Sequence, residues 1–266
     1  MKYRVCLITV CWNEQMVLPW VIDYWKQYAT HVVVYDNDST DDTIPILQQH
    51  DWIEVRRYDS GGKKDNDSIS ALKNDCWRLF RQYDFLCVTD LDEVFFFPNG
   101  PDVVLDQMKA GGYNFLGAHQ YGLCEDAVPP YAPGRLLHEN CKKFFRQKMN
   151  DMPGYTHLTK FTLFDPSLVT RTGWSVGQHL TKAKPELRVM EVPESECVAV
   201  HINSGFGWKY KWYRNQLQRV RLSSRNVKRG YSFQYYYGMK RVKQEYEEWQ
   251  RSGGDWNWVM NGGREL

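Results

Sequence analysis

No stretch of this chain approaches the roughly 18 apolar residues needed to cross a bilayer, so no helix of it is expected to span a membrane. The opening Met1-Lys2-Tyr3-Arg4 runs straight into Val5-Cys6-Leu7-Ile8-Thr9-Val10. That apolar run is too short, and too soon broken by Asn13 and Glu14, for a secretory signal. Cysteine forms no pattern: the seven residues, at 6, 11, 76, 87, 124, 141 and 197, are odd in number, scattered and without a CxxC pair. A disulfide scaffold or zinc cluster is thereby excluded, and reduced thiols serving as small core residues of a cytoplasmic protein are expected. There is no internal repeat and no low-complexity linker.

What remains is a globular composition, 42% hydrophobic and 15% aromatic over 266 residues, enough for one large α/β domain or two small ones. The net charge of +2 hides an asymmetry. Residues 207–244 hold eleven Lys and Arg and no acid, whereas residues 1–206 carry 21 basic and 27 acidic residues. An acidic body thus carries a basic, aromatic-rich C-terminal segment, and the chain divides at 206, with 1–97 and 98–206 as the halves of the body.

Periodicity predicts strands over Tyr3–Val10, His31–Tyr35, Trp52–Tyr58 and Phe85–Thr89. Helices are expected over Gln15–Tyr28, from Ser39 or Thr40 through Gln49, and over Ser68–Gln82. Strands alternating with helices imply right-handed crossovers and a mainly parallel sheet flanked by helices. Further on, a helix near Val103–Lys109, a strand near Tyr113–Ala118 and a broken helical stretch from Trp208 to about Gln250 are expected.

In such a sheet ligands bind beyond the carboxyl ends of the strands, where the polar residues gather. Trp12-Asn13-Glu14 follows the first strand, Asp36-Asn37-Asp38-Ser39-Thr40-Asp41-Asp42 the second, and Asp90-Leu91-Asp92-Glu93 the fourth. Positions i and i+2 of an extended chain face the same way, so Asp90 and Asp92 can converge on a hard divalent cation, Mg²⁺ or Mn²⁺. Such an ion would neutralise a nucleotide diphosphate and stabilise it as a leaving group. Taken alone, Asp-x-Asp is equally a polar turn; its place at the end of an apolar strand favours the metal.

The blocks WNEQMVLPWVIDYWKQYATHVVVYDNDSTDDT and ALKNDCWRLFRQYDFLCVTDLDEVFFF resemble the opening of GT-A glycosyltransferases of the family 2-like and family 92-like kind. The resemblance is good over residues 3–97, patchier to about 216 and absent beyond. It implies a GT-A fold and transfer of a sugar from a UDP- or GDP-linked donor to a glycan or lipid-linked carbohydrate. It also implies roles: Asn13 and Glu14 in the nucleoside pocket, Asp36 and Asn37 at the base or ribose, Asn74 near the ribose or diphosphate. Asp90 and Asp92 would be the Asp-x-Asp, with Asp92 the direct ligand and Glu93 orienting the metal's water shell. His201, after Val198-Ala199-Val200, would complete the metal or diphosphate site, since neutral imidazole suits Mn²⁺. Lys209, Lys211 and Arg214 would reach the diphosphate, with residues 202–214 closing over the donor; Lys160 and His179 match a Lys and a His of the same group. An inverting transfer needs a carboxylate base, for which position offers Glu125, Asp126 and Asp151.

Trp208, Trp212, Tyr213, Tyr231, Tyr235, Tyr236 and Tyr237 offer faces for sugar rings, or simply pack helices. The basic run between them suits an anionic membrane surface. Three other classes compete, of which a phosphohydrolase with an Asp-x-Asp nucleophile would carry the motif after the first strand rather than the fourth. A metal-dependent nucleotidyltransferase would want a glycine-rich phosphate loop after the first strand, where this chain has Trp12-Asn13-Glu14. A non-catalytic basic module is opposed by the acidic rim, which would repel nucleic acid.

Overall fold

The computed structural model describes residues 1–146, 159–178, 181–184, 186–202 and 205–263. In chain order these form β1 (Val5–Cys11), α1 (Leu18–Tyr28), β2 (His31–Asp36), α2 (Thr43–Leu47), β3 (Ile53–Arg57), α3 (Asn66–Asp75), β4 (Phe85–Asp90) and β5 (Glu93–Phe96). Next come α4 (Pro101–Gly111), β6 (Phe115–Leu123), α5 (Leu137–Asn140), β7 (Phe144–Arg146), β8 (Thr159–Phe164), β9 (Val189–Glu191) and β10 (Val198–His201). The chain closes with α6 (Trp208–Arg221), α7 (Ser224–Lys228), α8 (Met239–Ser252) and α9 (Trp256–Met260).

All ten strands belong to one sheet, in the order β3-β2-β1-β4-β8-β6-β10-β5, with β7 and β9 also on β6. β1 to β4 pair in parallel. The central β1 and β4 are almost wholly buried, which is why VCLITVC and FLCVTD read as continuous rather than alternating apolar runs. The second half is mixed: β8 runs antiparallel to β4 and β6, β10 parallel to β6, and β5 antiparallel to β10. Only the first half therefore follows the expected parallel pattern; after Asp90 strands distant in sequence pair in both directions.

Helix boundaries follow local chemistry. α1 starts only at Leu18, with a proline at the first turn. α3 is capped by Asp65, whose carboxylate accepts the Ser68 N–H at 3.0 Å, and ends at Asp75, with a tight 3-10 turn over Cys76–Phe80 instead of one helix through Gln82. The packed core holds Trp25, Trp77, Tyr24, Tyr28 and Phe85, all fully buried. All seven cysteines are buried and free. No described helix is long and apolar enough to cross a membrane.

The C-terminal helices lie on the body rather than beside it. Ser223 of the α7 cap bonds Asp65 at 2.8 Å, Asn66 exchanges bonds with Asn226, and the backbone of Gly254 pairs with Phe144. The helical stretch breaks across 229–238, where Gly230 and Gly238 stand, and also at Leu222–Ser223, where no break was expected.

Candidate functional site

A cavity of about 670 Å³ opens beyond the carboxyl ends of β1, β2 and β4. Its chemistry begins where β4 stops. The tight Leu91–Asp92 turn reverses the chain into β5, which pairs antiparallel with β10 so that Glu93 lies opposite His201. The N–H of Ile202 donates to the Asp92 carbonyl at 2.8 Å. Residues 109 apart in sequence thereby meet: His201 Nε2 is 3.1 Å from Asp92 Oδ2.

Each carboxylate in the cavity faces a basic group. Lys73 Nζ donates to Asp90 Oδ1 at 2.6 Å and to Gln178 Oε1 at 2.8 Å. Gln178 in turn donates to the Val88 carbonyl at 2.6 Å, from a backbone with φ of 57°. A side-chain-bearing residue rarely takes that conformation, and it persists only where the surroundings enforce it. Glu93 and Lys160, both buried, pair at 2.9 Å. Glu14 receives Arg214 at 2.5 Å, and the same guanidinium donates to the Asn13 carbonyl.

Burial and charge pull these groups in opposite directions. Burial pushes the Glu14 carboxyl up to about 7 although Arg214 opposes it. Burial would also raise Asp90 and Asp92, yet Lys73 holds the first, and His201 the second, below the usual carboxylate range. For His201 burial disfavours the charged ring, and Asp92 more than offsets that, so its pKa rises.

Three cations in the cavity remain without a carboxylate in ion-pair reach among the described residues: Lys64, Lys211 and Arg221. Each rests instead on an aromatic ring. Lys64 Nζ bonds the Tyr235 hydroxyl at 2.7 Å, Lys211 Nζ lies 3.5 Å over Trp249, and Arg221 stacks 3.8 Å over Trp12. Arg221 also donates to the Asn37 carbonyl and side-chain oxygens at 3.1 and 2.6 Å. Burial pulls Lys211 down to about 8 and Arg221 to about 10.

Of the sequence-predicted residues, Glu14, Asn37, Asp90, Asp92, His201 and Lys211 line this one cavity, as do Glu93, Lys160 and Arg214. Others do not. Asn13, at φ 51°, spends its side chain tying the β1 turn to Thr40, and Asp36 accepts the Ser39 N–H at 3.1 Å. Asn74 braces α3 against the next loop, accepting from Thr172 Oγ1 and the Trp174 N–H, both at 2.8 Å, and donating to the Trp174 carbonyl. Lys209 is exposed, its ammonium over Trp208.

The proposed bases also fall outside. Glu125 accepts the backbone N–H of Lys142 and Lys143 and so holds a turn. Asp126 is largely exposed, bonded to Gln250 and Lys143. Residues 208–214, expected in a closing loop, are the first half of α6, already docked through Arg214. Asp151, His179, Asn203 and Ser204 lie outside the described residues.

Lys64, Lys73, Gln178 and Arg221 escaped the sequence reading. Lys73 directly precedes Asn74, and Arg221 lies seven residues, two helical turns, beyond Arg214 on the same face of α6. Only the second spacing was a readable signal.

For a divalent cation the protein offers two touching donors, Asp92 and His201, with Asp90 in the same cavity but turned to Lys73. No group of three or more His, Cys, Asp or Glu in ligating geometry occurs among the described residues. That donor set fits an ion completed by water and substrate phosphates, as Mg²⁺ commonly is, rather than an all-protein cage.

In an open α/β sheet the crevice beyond the carboxyl ends of the strands is the usual ligand site, and this charged cavity lies there. The family model for glycosyltransferase family 92 matches residues 1–233, and the chain belongs to that family; it is a glycosyltransferase. No curated protein is significantly similar to it. Among solved structures it is similar to a 4-diphosphocytidyl-2C-methyl-D-erythritol synthase from Anaerococcus prevotii, at 13% identity over 73% of this chain and 91% of that one (TM-score 0.35). A second synthase of the same name matches at 10% identity over 63% and 77% (TM-score 0.34). A197 from STIV matches at 10% over 74% and 85% (TM-score 0.35). None of these likenesses bears on the activity.

Proposed function

We propose that this glycosyltransferase moves a sugar from a UDP- or GDP-linked donor to a carbohydrate acceptor, with Mn²⁺ or Mg²⁺ held at Asp92 and His201. The observation that carries this reading is the gathering of Lys64, Lys211 and Arg221, without carboxylate partners among the described residues, around the Asp92–His201 pair in one cavity. Positive charge fixed in a partly enclosed site is suited to a diphosphate leaving group, and preorganised charge is commonly the largest catalytic contribution. The ion, when bound, would add Lewis-acid neutralisation of the phosphates.

The protein's own part is positional. Trp12, Asn37 and Arg221 form the wall nearest β1 and β2 and would hold the nucleoside. Lys73 fixes the Asp90 carboxylate, and the buried Glu93–Lys160 pair fixes the turn that carries Asp92. An inverting transfer would draw its base from outside the four cavity carboxylates, because each already faces a basic partner.

The acceptor side supports a lipid-linked carbohydrate. Tyr213, Val220, Val227, Phe233, Tyr236 and Met239 are exposed in the basic segment, Val220 at 74% and Phe233 at 61%. Apolar side chains among Lys and Arg suit an anionic lipid surface, and residues 230–235 border the cavity as well. Calorimetry with UDP and GDP, with and without Mn²⁺ or Mg²⁺, tests the core of the proposal. Binding of neither nucleotide under any of these conditions would overturn it.

A further inference from the structure

Gln120, in the middle of β6, is fully buried and lines the cavity. Neither its Nε2 nor its Oε1 has a hydrogen-bond partner among the described residues. A buried polar group left unpaired costs its full desolvation penalty, and native structures leave few such groups without a reason. Both ends of one amide, orphaned in a cavity wall, point to a ligand that pairs them.

Sheet register says which neighbours share that wall. Gln120 lies opposite Ala199, and two residues on Gly122 lies opposite His201, itself opposite Glu93. On the other side Ala118 lies opposite Lys160. Alternate residues share a face, so Gln120, Lys160, Glu93 and His201 stand on one side of the sheet.

Sheet order says which part of the donor arrives there. The wall assigned to the nucleoside belongs to β1 and β2, the Asp-x-Asp ends β4, and β6 is three strands from β1. At about 4.8 Å per strand that is roughly 14 Å. His201 stands on β10, the strand next to β6, so a donor whose phosphates lie beside Asp92 and His201 brings its sugar within reach of the β6 wall. The chemistry agrees. A phosphate at neutral pH has acceptors and essentially no donor, so it cannot satisfy Oε1. A sugar hydroxyl both donates and accepts, and a neutral amide matches a pair of them.

We infer that Gln120 hydrogen-bonds hydroxyls of the transferred sugar and sets which sugar the enzyme accepts. This rests on the proposed nucleotide-sugar function and adds a specificity residue to it. Gln120→Leu and the near-isosteric Gln120→Met test it, because both remove the orphaned amide from an apolar strand and should melt no lower than wild type.

The probes are UDP and GDP with Mn²⁺, then UDP-glucose, UDP-galactose, UDP-N-acetylglucosamine and GDP-mannose. Both variants should bind the nucleoside diphosphate within about threefold of wild type. They should lose on the order of 10²-fold in kcat/KM for the preferred donor and discriminate less among sugars, as expected when a site loses a hydrogen bond to a substrate hydroxyl. Unchanged kcat/KM and sugar preference in both variants would overturn the inference alone, as would an equal loss of nucleoside diphosphate binding. A wild-type protein that binds no nucleoside diphosphate would overturn the underlying function as well.

Discussion

Arg214 reaches from α6 to Glu14 at the end of β1, its guanidinium 2.5 Å from the carboxylate and also on the Asn13 carbonyl. Both side chains are nearly closed off from solvent. Removing one member of a buried pair leaves an uncompensated charge, at a cost of about 3–5 kcal/mol. Arg214→Leu should lower stability by that order in urea titration, and Glu14→Leu in the same chain should restore most of it. A simple additive loss in the double variant would show that the two residues are not coupled.

At the proposed metal site, Asp92→Asn should keep the fold, since the side chain borders a cavity rather than packing a core. Turnover with the preferred nucleotide-sugar should fall by on the order of 10²-fold or more, and Mn²⁺ should no longer improve nucleotide binding. Retention of wild-type, metal-stimulated turnover would remove Asp92 from the site.

Arg221 is the expected nucleoside-side cation. Arg221→Ala should weaken UDP or GDP binding about tenfold, and Arg221→Lys should recover little, because the ammonium cannot both stack on Trp12 and fork to the Asn37 oxygens. Isothermal calorimetry at fixed salt decides this, and equal affinities for all three proteins would refute it.

Asn74 makes the contrasting prediction. Its bonds to Ser70, Thr172 and Trp174 brace α3. Asn74→Ala should cost about 2–3 kcal/mol of stability while nucleotide affinity of the folded protein stays within about twofold. A large loss of affinity at unchanged stability would return Asn74 to the binding site.

These contrasts mark what was legible in the sequence. The strands of the parallel half were readable because buried central strands are continuous apolar runs, and the polar clusters after β1, β2 and β4 marked the edge at which the cavity opens. A cluster does not say which of its members turns inward. Asn37 faces the cavity while its neighbour Asp36 caps a turn, a difference set by strand alternation and the local Asx geometry. Lys73, Gln178 and Gln120 were hidden for another reason: they sit on a helix flank, a loop and a strand centre, and only the tertiary fold brings them to Asp90 and His201. The Lys142 and Lys143 backbone N–H groups on Glu125, and the Lys143 and Gln250 side chains on Asp126, are partners that leave no mark in a sequence.

A stability profile against pH should carry the signature of His138. It is buried against Trp256, bonded to the Tyr24 hydroxyl at 2.8 Å, and burial lowers its pKa to about 4. Between about 4 and the unfolded value near 6.5 the unfolded chain binds more protons than the folded one, so stability falls as pH drops through that window. His138→Gln should flatten the decline between pH 6.5 and 4 in thermal melts; an unchanged slope would exclude His138 as its source.

The proposed contact with an anionic lipid surface has its own measurement. Wild type should co-sediment with phosphatidylglycerol vesicles and not with phosphatidylcholine ones, and 0.5 M salt should release it, consistent with screened surface charge. Val220→Ser with Phe233→Ser should reduce binding about tenfold while leaving nucleotide affinity unchanged. Equal partitioning onto neutral and anionic vesicles would overturn the electrostatic part of the reading.

The placement of α6 also has a consequence for how the chain comes to be folded in a cell. Synthesis proceeds from the N-terminus, and early domains can fold as they emerge. Here the β1–β4 half can pair its strands long before residues 211–235 exist, yet Arg214 on Glu14, Arg221 on Asn37 and Tyr235 on Lys64 come only from that last quarter. Until then the nascent sheet lacks the Arg214 guanidinium beside Glu14 and keeps an open polar edge. The binding cavity is consequently among the last parts of the molecule to be completed, and ribosome-bound chains ending near residue 206 should be open to proteolysis and to chaperones at that edge.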